Sequence, residues 1–265
     1  MGVLNVTPDS FSDGGFFLDP NIAVRHALKL EREGAHILDI GGESSRPGSR
    51  PVTAREEIRR IRPVFKRLAR KIKIPLSVDT YKYDVAAAAL DEGAVLVNDI
   101  RALRNNKRLA KRIARYRAGV VLMHMRGLPR TMQVNPTYRN LLSDIRTFLA
   151  RALDAALEAG ISKSSIVIDP GFGFGKTTEQ NFEILRNLEY FLKSKMPLLV
   201  GLSRKSFIGN LLGASVADRL YGSLAAAASA ICQGAHLLRV HEVLPHRQLA
   251  LVLDKALSHE GERMR

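Results

Sequence analysis

The feature that most constrains this 265-residue chain is a count. Eight short apolar runs recur along it, most closing on a polar residue and each followed by a segment with helical periodicity. They are GVLNV (2–6), AHILDI (35–40), LSVDT (76–80), VLVND (95–99), GVVLMH (119–124), IVIDP (166–170), LLVGLS (198–203) and LLRVH (237–241). Between or after them lie stretches such as PNIAVRHALKLEREG, YDVAAAALDEG, LLSDIRTFLARALDAALEAG and VADRLYGSLAAAASAICQG. Several of these stop at glycine, the usual residue just past a helix end. Eight strands alternating with eight helices in a chain of this length predict an α/β (β/α)8 TIM barrel, one domain over 1–265. An open, doubly wound sheet is the competing arrangement.

A barrel carries its chemistry at the carboxyl ends of its strands. Those ends read Asn5, Asp39, Asp79, Asn98 with Asp99, His124, Asp169, Ser203 with Lys205, and Arg239 with His241. One such residue alone is as well explained by a turn as by a site. Polar groups from all eight strands, converging on one mouth, call for a ligand.

Charge narrows the ligand. The net charge of +15 and a pI near 10.3 ask for an anionic partner. Much of the excess sits in AREEIRRIRPVFKRLARKIKI and RNNKRLAKRIARYR. There Ile58, Ile61, Phe65, Leu68 and Ile72, then Leu109, Ile113 and Tyr116, fall at helical spacing, so the basic residues form the solvated faces of amphipathic helices. No nucleic-acid-binding signature accompanies them, and a small phosphorylated substrate suits the field better. The single Cys232 rules out a disulfide framework, and no apolar run approaches the roughly 18 residues of a membrane span. A cytoplasmic protein without membrane association is expected.

Three familiar chemistries fit poorly. Paired carboxylates serve glycosidases, but the chain has no tryptophan and only 6% aromatic residues with which to stack sugars. The first strand lacks the His-x-His pair of the barrel metal hydrolases. DPGFGFGKTTEQN resembles a nucleotide-binding phosphate loop, yet its register puts Pro170 where the first glycine belongs, and proline has no N–H to offer a phosphate. Gly171, Gly173 and Gly175 are instead expected to let the backbone pass close to a flat ligand. Buried Asp79 and Asp169, with Asn98, can accept hydrogen bonds from a nitrogen-rich heterocycle. Lys205, Arg239 and His241, at the last two strands, are placed to hold phosphate.

MGVLNVTPDSFSDGG, DIGGESSRPG, SVDT, VND, LMHMRGLPRTMQ, IDPGFGFGK, GLSRKSF and RVHEV resemble, in order and over residues 1 to about 245, the dihydropteroate synthases. Those enzymes join 6-hydroxymethyl-7,8-dihydropterin diphosphate to 4-aminobenzoate and release pyrophosphate in folate biosynthesis; sulfonamides target them. The resemblance implies pterin contacts at Asp79, Asn98, Met123, Asp169, Phe174, Gly201 and Lys205. It implies diphosphate contacts at Asn5, Arg46, Arg239 and His241, with Mg2+ near Asn5 and Asp13. For 4-aminobenzoate it implies Ser45, Arg46, Phe16 and Lys205. Lys205, Asp79, Asp169, Arg239 and His241 would be the catalytic set, and the segment 7–17 a lid, with a second loop from Glu43 through Arg50. A homodimer is implied as well.

The chain departs from the family at Ser45, where threonine is commoner, at Glu242, where aspartate is usual, and at NDIRALRNN, which places the bulky Arg101 beside the expected pterin pocket. The family's lead-in before the first strand is not seen ahead of Met1, so a trimmed chain, or one part of a longer folate-pathway polypeptide, is expected. The alternatives are a methyltetrahydrofolate:corrinoid methyltransferase, which shares the pterin-binding barrel, and a catalytically silent pterin- or RNA-binding paralogue.

Overall fold

The computed structural model describes residues 1–7, 19–46 and 48–258. All eight apolar runs contain strands: β1 Gly2–Asn5, β2 Leu38–Gly41, β3 Leu76–Asp79, β4 Leu96–Asp99, β5 Gly119–Met123, β6 Ile166–Asp169, β7 Leu199–Val200 and β8 Leu237–Leu238. Strands β1 to β6 pair in parallel in sequence order, and β7 pairs β8 in the same sense. Parallel bridges Ile168↔Leu198 and Gly2↔Val240 join the two sets, and Val3 N–H donates to the Val240 carbonyl at 2.9 Å. The ring is therefore closed, and the open doubly wound sheet is excluded.

Helices α1 Pro20–Arg32, α2 Ala54–Leu68, α3 Tyr83–Asp91, α4 Lys107–Arg115 and α5 Leu141–Glu158 each follow one strand. The later crossovers are richer than the expected single helices. β6 is followed by α6 Thr178–Arg186 and the short α7 Glu189–Leu192, and β7 by α8 Ser206–Leu212 and α9 Leu220–Cys232, before α10 Val243–Leu257 closes the described chain. On α2, Ile61, Val64, Phe65 and Leu68 are buried while Arg55, Arg59, Arg62 and Arg67 face outward, as the periodicity predicts; Arg60 instead folds in to donate to the Gly42 carbonyl at 2.9 Å. Tyr116 departs from expectation. It ends α4 on the exposed side, with its hydroxyl donated to Asp91.

The two-residue period of the strands sorts their side chains into two environments. One face packs under the helices: Leu4, Ile40, Val78, Val97, Val120 and Ile168 belong to the large core. The other face fills the ring. Its floor is apolar, built from Leu96, Val121 and Leu199 with Met1, Ile37, Val167 and Leu237 packed against them. Above it on the same face, Asn98, Asp169 and Arg239 open onto the mouth, while Asp39 and Ser77 stay buried beneath it.

Candidate active site

The mouth holds a cavity of about 340 Å3. Its wall includes Asn5 on β1, Asp79 on β3, Asn98 on β4, Met123 on β5, Asp169 on β6, Gly201 just beyond β7, and Arg239 and His241 just beyond β8. Phe174 and Lys205 reach it from the loops after β6 and β7, and Ser45 and Arg46 from the loop after β2. The expected residues that fall within the described chain are thus brought together. Phe16, Asp13 and the lid segment, apart from Thr7, lie outside the described residues; Thr7 itself lines the cavity.

Two strand-end groups do not face the mouth. Asp99 turns to the outer face, where its two carboxylate oxygens accept from Arg101 N–H and Leu103 N–H, both at 2.8 Å. His124 is buried against Phe148 and Tyr138, its Nδ1 3.0 Å from Lys176 Nζ. Burial, then the neighbouring Lys176, pushes its pKa down to about 2, so the ring is neutral and Nδ1 accepts. Arg101 also moves away from the expected place. It stacks on Tyr81, outside the substrate cavity.

Asp39, which the sequence offered only as one polar strand end among eight, ties the ring together beneath the cavity. It has no exposed surface, and its Oδ2 accepts from Arg239 Nε at 2.7 Å and from Asn98 Nδ2 at 2.9 Å. Arg239 Nη2 reaches Asp79 Oδ2 at 2.6 Å. One guanidinium is therefore clamped between two carboxylates, a charge-assisted geometry that fixes its orientation. Burial opposes the Arg239 charge, but Asp39 and Asp79 hold its pKa above the ordinary value. Burial pushes Asp79 up to about 7 and Asp169 up to about 6, each partly countered by neighbouring cations or an N–H donor. Burial, then Arg239, lowers Lys205 to about 8, with its ammonium 4.2 Å from the centre of the Phe174 ring. His241 is held down to about 3 by burial and by Arg239, Arg204, Arg46 and Lys205. It is a neutral hydrogen-bonding group, with Nδ1 3.0 Å from Ser203 Oγ.

The loop after β6 is held by many ties. Asp169 Oδ1 accepts from Gly171 N–H at 2.7 Å, Asn181 Oδ1 from Gly173 N–H at 2.7 Å, and the Gly173 and Gly175 carbonyls accept from Gln133 and Tyr138. Lys176 is buried, and its ammonium meets the carbonyls of Gly171 at 2.8 Å and Phe174 at 3.0 Å as well as His124. The lysine of the misleading phosphate-loop motif is thus an internal strut. The glycines also have a different reason from the one expected. Gly171 and Gly175 have φ of +74° and +68°, and a Cβ there would lie 1.9 Å from the His124 carbonyl oxygen and 2.3 Å from that of Arg126. They let this loop pass against the loop after β5. Of the three glycines, Gly173 is the one on the cavity wall.

The loop after β2 is anchored by Glu43, which accepts from Val52 N–H at 2.8 Å, Tyr81 Oη at 2.9 Å and Lys82 Nζ at 2.6 Å. Lys82 also reaches the buried Glu57 at 2.5 Å. On the opposite rim, Arg204, itself at φ +59°, is paired with Glu242, and its carbonyl accepts from Arg219 at 3.1 Å. Arg219 lines the cavity but comes from a 3-10 turn before α9, so no strand-end count could find it.

These features define an α/β-barrel enzyme site with acceptors deep in the ring and cations at the last strands. Residues 1–241 match the pterin binding enzyme family. The dihydropteroate synthase of Escherichia coli K12 is 43% identical over 258 residues, 97% of this chain and 91% of that protein. The crystal structure of the Yersinia pestis dihydropteroate synthase with a sulfonamide drug complex superposes with a TM-score of 0.93 at 42% identity, covering 97% and 93% of the two chains. That of Xanthomonas albilineans in complex with 7,8-dihydropteroate gives 0.87 at 43%, covering 97% and 92%. The chain belongs to the pterin-binding enzymes, among the dihydropteroate synthases.

Proposed function

We propose that this chain, as one barrel domain, is a transferase that condenses 6-hydroxymethyl-7,8-dihydropterin diphosphate with 4-aminobenzoate, giving 7,8-dihydropteroate and pyrophosphate in folate synthesis. The observation that carries the reading is the combination of deep acceptors (Asp79, Asn98, Asp169) with Arg239 in the same closed ring. The acceptors match the ring N–H groups of a pterin. Lys205 and Phe174 supply a donor and a flat wall. Arg239 and His241, with Asn5 and Arg46, face the diphosphate, and Ser45, Arg46 and Lys205 face 4-aminobenzoate.

In the reaction the methylene C–O bond breaks with its electron pair leaving on pyrophosphate, and the amine nitrogen of 4-aminobenzoate forms the new C–N bond, losing a proton. The pterin delocalises the positive charge that develops on the methylene carbon. The protein's work is electrostatic preorganisation, and removing one such group costs about 2.7–4 kcal/mol of transition-state stabilisation. Arg239, fixed by Asp39, balances the charge gathering on the leaving group. Asp79 and Asp169 keep the ring oriented, and His241, neutral, offers a hydrogen bond.

A magnesium ion fits this site as one carried by the diphosphate. Asn5 presents a hard amide group to the cavity, while no cluster of three histidine, cysteine or carboxylate ligands exists among the described residues. When bound there it would supply further charge neutralisation to the diphosphate.

Among the described residues no helix is long and apolar enough to cross a membrane. We place the enzyme in the cytoplasm as a homodimer. The dimer is supported by exposed apolar side chains on α9 and α10, including Tyr221 at 83% and Val252 at 67% exposure. The test is direct. The purified protein, given both substrates and Mg2+, releases pyrophosphate and forms dihydropteroate, and a sulfonamide competes with 4-aminobenzoate. No pyrophosphate release would overturn the reading.

A further inference from the structure

A second cavity, of about 370 Å3, opens on the rim between the ends of β3, β4 and β5, and shares no lining residue with the substrate cavity. Its volume lies within the range of small-molecule sites. Its apolar surface is flat and partly aromatic, built from Tyr81, Met125 and Phe148 with the exposed Leu128 at the lip. Its charge is cationic. The Arg101 guanidinium lies 3.7 Å above the Tyr81 ring centre, and the exposed Arg104 stands beside it. The carboxylate in the lining, Asp99, accepts from the backbone N–H groups of Arg101 and Leu103 at 2.8 Å.

Two observations argue that this surface is built for an acceptor. Arg101 Nε is buried and has no hydrogen-bond partner among the described residues. A buried donor left unmet costs about 1–3 kcal/mol, more when charged, so an acceptor that enters here recovers that energy. The turn that delivers the two arginines is also strained. Ala102, Leu103 and Asn105 adopt φ of 51°, 60° and 58°, left-handed values that cost a non-glycine residue roughly 1 kcal/mol each. Asp99 and the Asn106 side chain, which donates to the Tyr81 carbonyl at 3.1 Å, hold the turn in place.

We propose that this cavity is a ligand site for a flat aromatic carboxylate. The ring would lie along Met125 and Phe148, beside the Tyr81 ring that Arg101 covers, and the carboxylate would meet Arg101 edge-on, the bidentate geometry that a guanidinium favours. Arg104 supplies the second charge. Tyr81 is the partition between the two cavities. It packs against the cluster of Ile100, Met123 and Phe174, which lines the substrate pocket, and donates to Glu43 at the base of the loop carrying Ser45 and Arg46.

The test titrates the whole protein with 2-naphthoate, and with inorganic sulfate as a headgroup without a ring, by calorimetry. The same titrations are run on Arg101→Met, Arg104→Met and Lys205→Ala, and crystals are soaked in 2-naphthoate. The expected result is saturable 2-naphthoate binding, weakened at least tenfold by Arg101→Met and several-fold by Arg104→Met, and unchanged by Lys205→Ala. The soaked crystal shows the ring against Met125 and Phe148 with its carboxylate on Arg101, and sulfate binds at least tenfold more weakly. If Arg101→Met does not fold, the exposed Arg104→Met decides. Binding insensitive to the arginines, binding lost in Lys205→Ala, or sulfate equal to naphthoate overturns the proposal.

Discussion

Arg239 Nε donates to Asp39 Oδ2 at 2.7 Å, across 200 positions of sequence and from the last strand of the ring to the second. The pair closes the polar layer of the barrel and leaves the guanidinium aimed at the mouth. Removing one member of a buried ion pair typically costs about 3–5 kcal/mol, because the other charge remains buried without its partner. Asp39→Ala should fall in that range in urea unfolding. Asp39→Asn, which keeps an oxygen acceptor, should lose less stability but weaken pyrophosphate binding at least tenfold, because Arg239 is no longer held by two negative charges. A loss under 1 kcal/mol in Asp39→Ala would show that Asp79 alone suffices.

Lys176 is the strut of the pocket floor, and its substitution should separate binding from chemistry. Lys176→Met removes three hydrogen bonds and takes this donor from the Phe174 carbonyl and from His124 Nδ1, while the Gly171 carbonyl still accepts from Phe174 N–H. Each buried group left unmet costs about 1–3 kcal/mol. The floor carrying Phe174 should loosen while Asp79, Asn98 and Arg239 stay in place. The expected kinetics are a KM for the pterin substrate raised at least tenfold with kcat reduced less. A fall in kcat at unchanged KM would mean that Lys176 acts on the transition state and not on the floor.

The strand ends were legible in the sequence because a period of two, counted along short apolar runs, assigns each residue to one face of the ring. Asn5, Asp79, Asn98, Asp169 and Arg239 all sit on the inner face for that reason. Asp39 lies on the same face but below the cavity wall, and nothing in DIGG distinguishes a ligand contact from a residue that orients another. Arg219 was missed and Arg101 misplaced for a related reason. Their positions depend on a 3-10 turn and on departures from right-handed backbone geometry at Ala102, Leu103 and Asn105, which hydrophobic periodicity does not encode. Lys176 and the glycines beside it belong to a motif whose role in the structure is internal. Their packing against the loop after β5 depends on contacts remote in sequence.

The neutral, buried His124 gives the fold an acid-sensitive element. Its pKa is depressed in the native state to about 2 from 6.5. Below pH 6.5 the unfolded chain takes up a proton that the native ring refuses. Stability from this residue is therefore fully present above 6.5 and is lost as pH falls toward the native pKa, by about 1.4 kcal/mol per pH unit. His124→Asn retains an acceptor for Lys176 without the titration. In urea unfolding from pH 7 to pH 4.5, the variant's acid limb should be shallower than the parent's by about that slope. Parallel limbs would mean that the imidazole charges in the native state.

Lys205 offers a test of the substrate assignment that is independent of turnover. Its ammonium sits between the Phe174 ring and the carboxylates of Asp79 and Asp169, and its native pKa is lowered to about 8. A lysine in contact with a pterin donates best while charged, so its contribution to affinity is present below pH 8 and fades above it. The ligand's own ionisation would obscure this in a single titration, but it cancels in the ratio of two proteins measured at the same pH. The ratio of pterin affinities, parent over Lys205→Ala, should be at least tenfold at pH 7. It should then fall toward one by pH 10 in fluorescence titrations with unphosphorylated 6-hydroxymethylpterin. The limb belongs to Lys205 and not to Asp79 or Asp169, whose pKa values of about 7 and about 6 put their ionisation on the acid side. A ratio that stays constant to pH 10 would mean that Lys205 contributes independently of its charge, and the donor role given to its ammonium would have to be withdrawn.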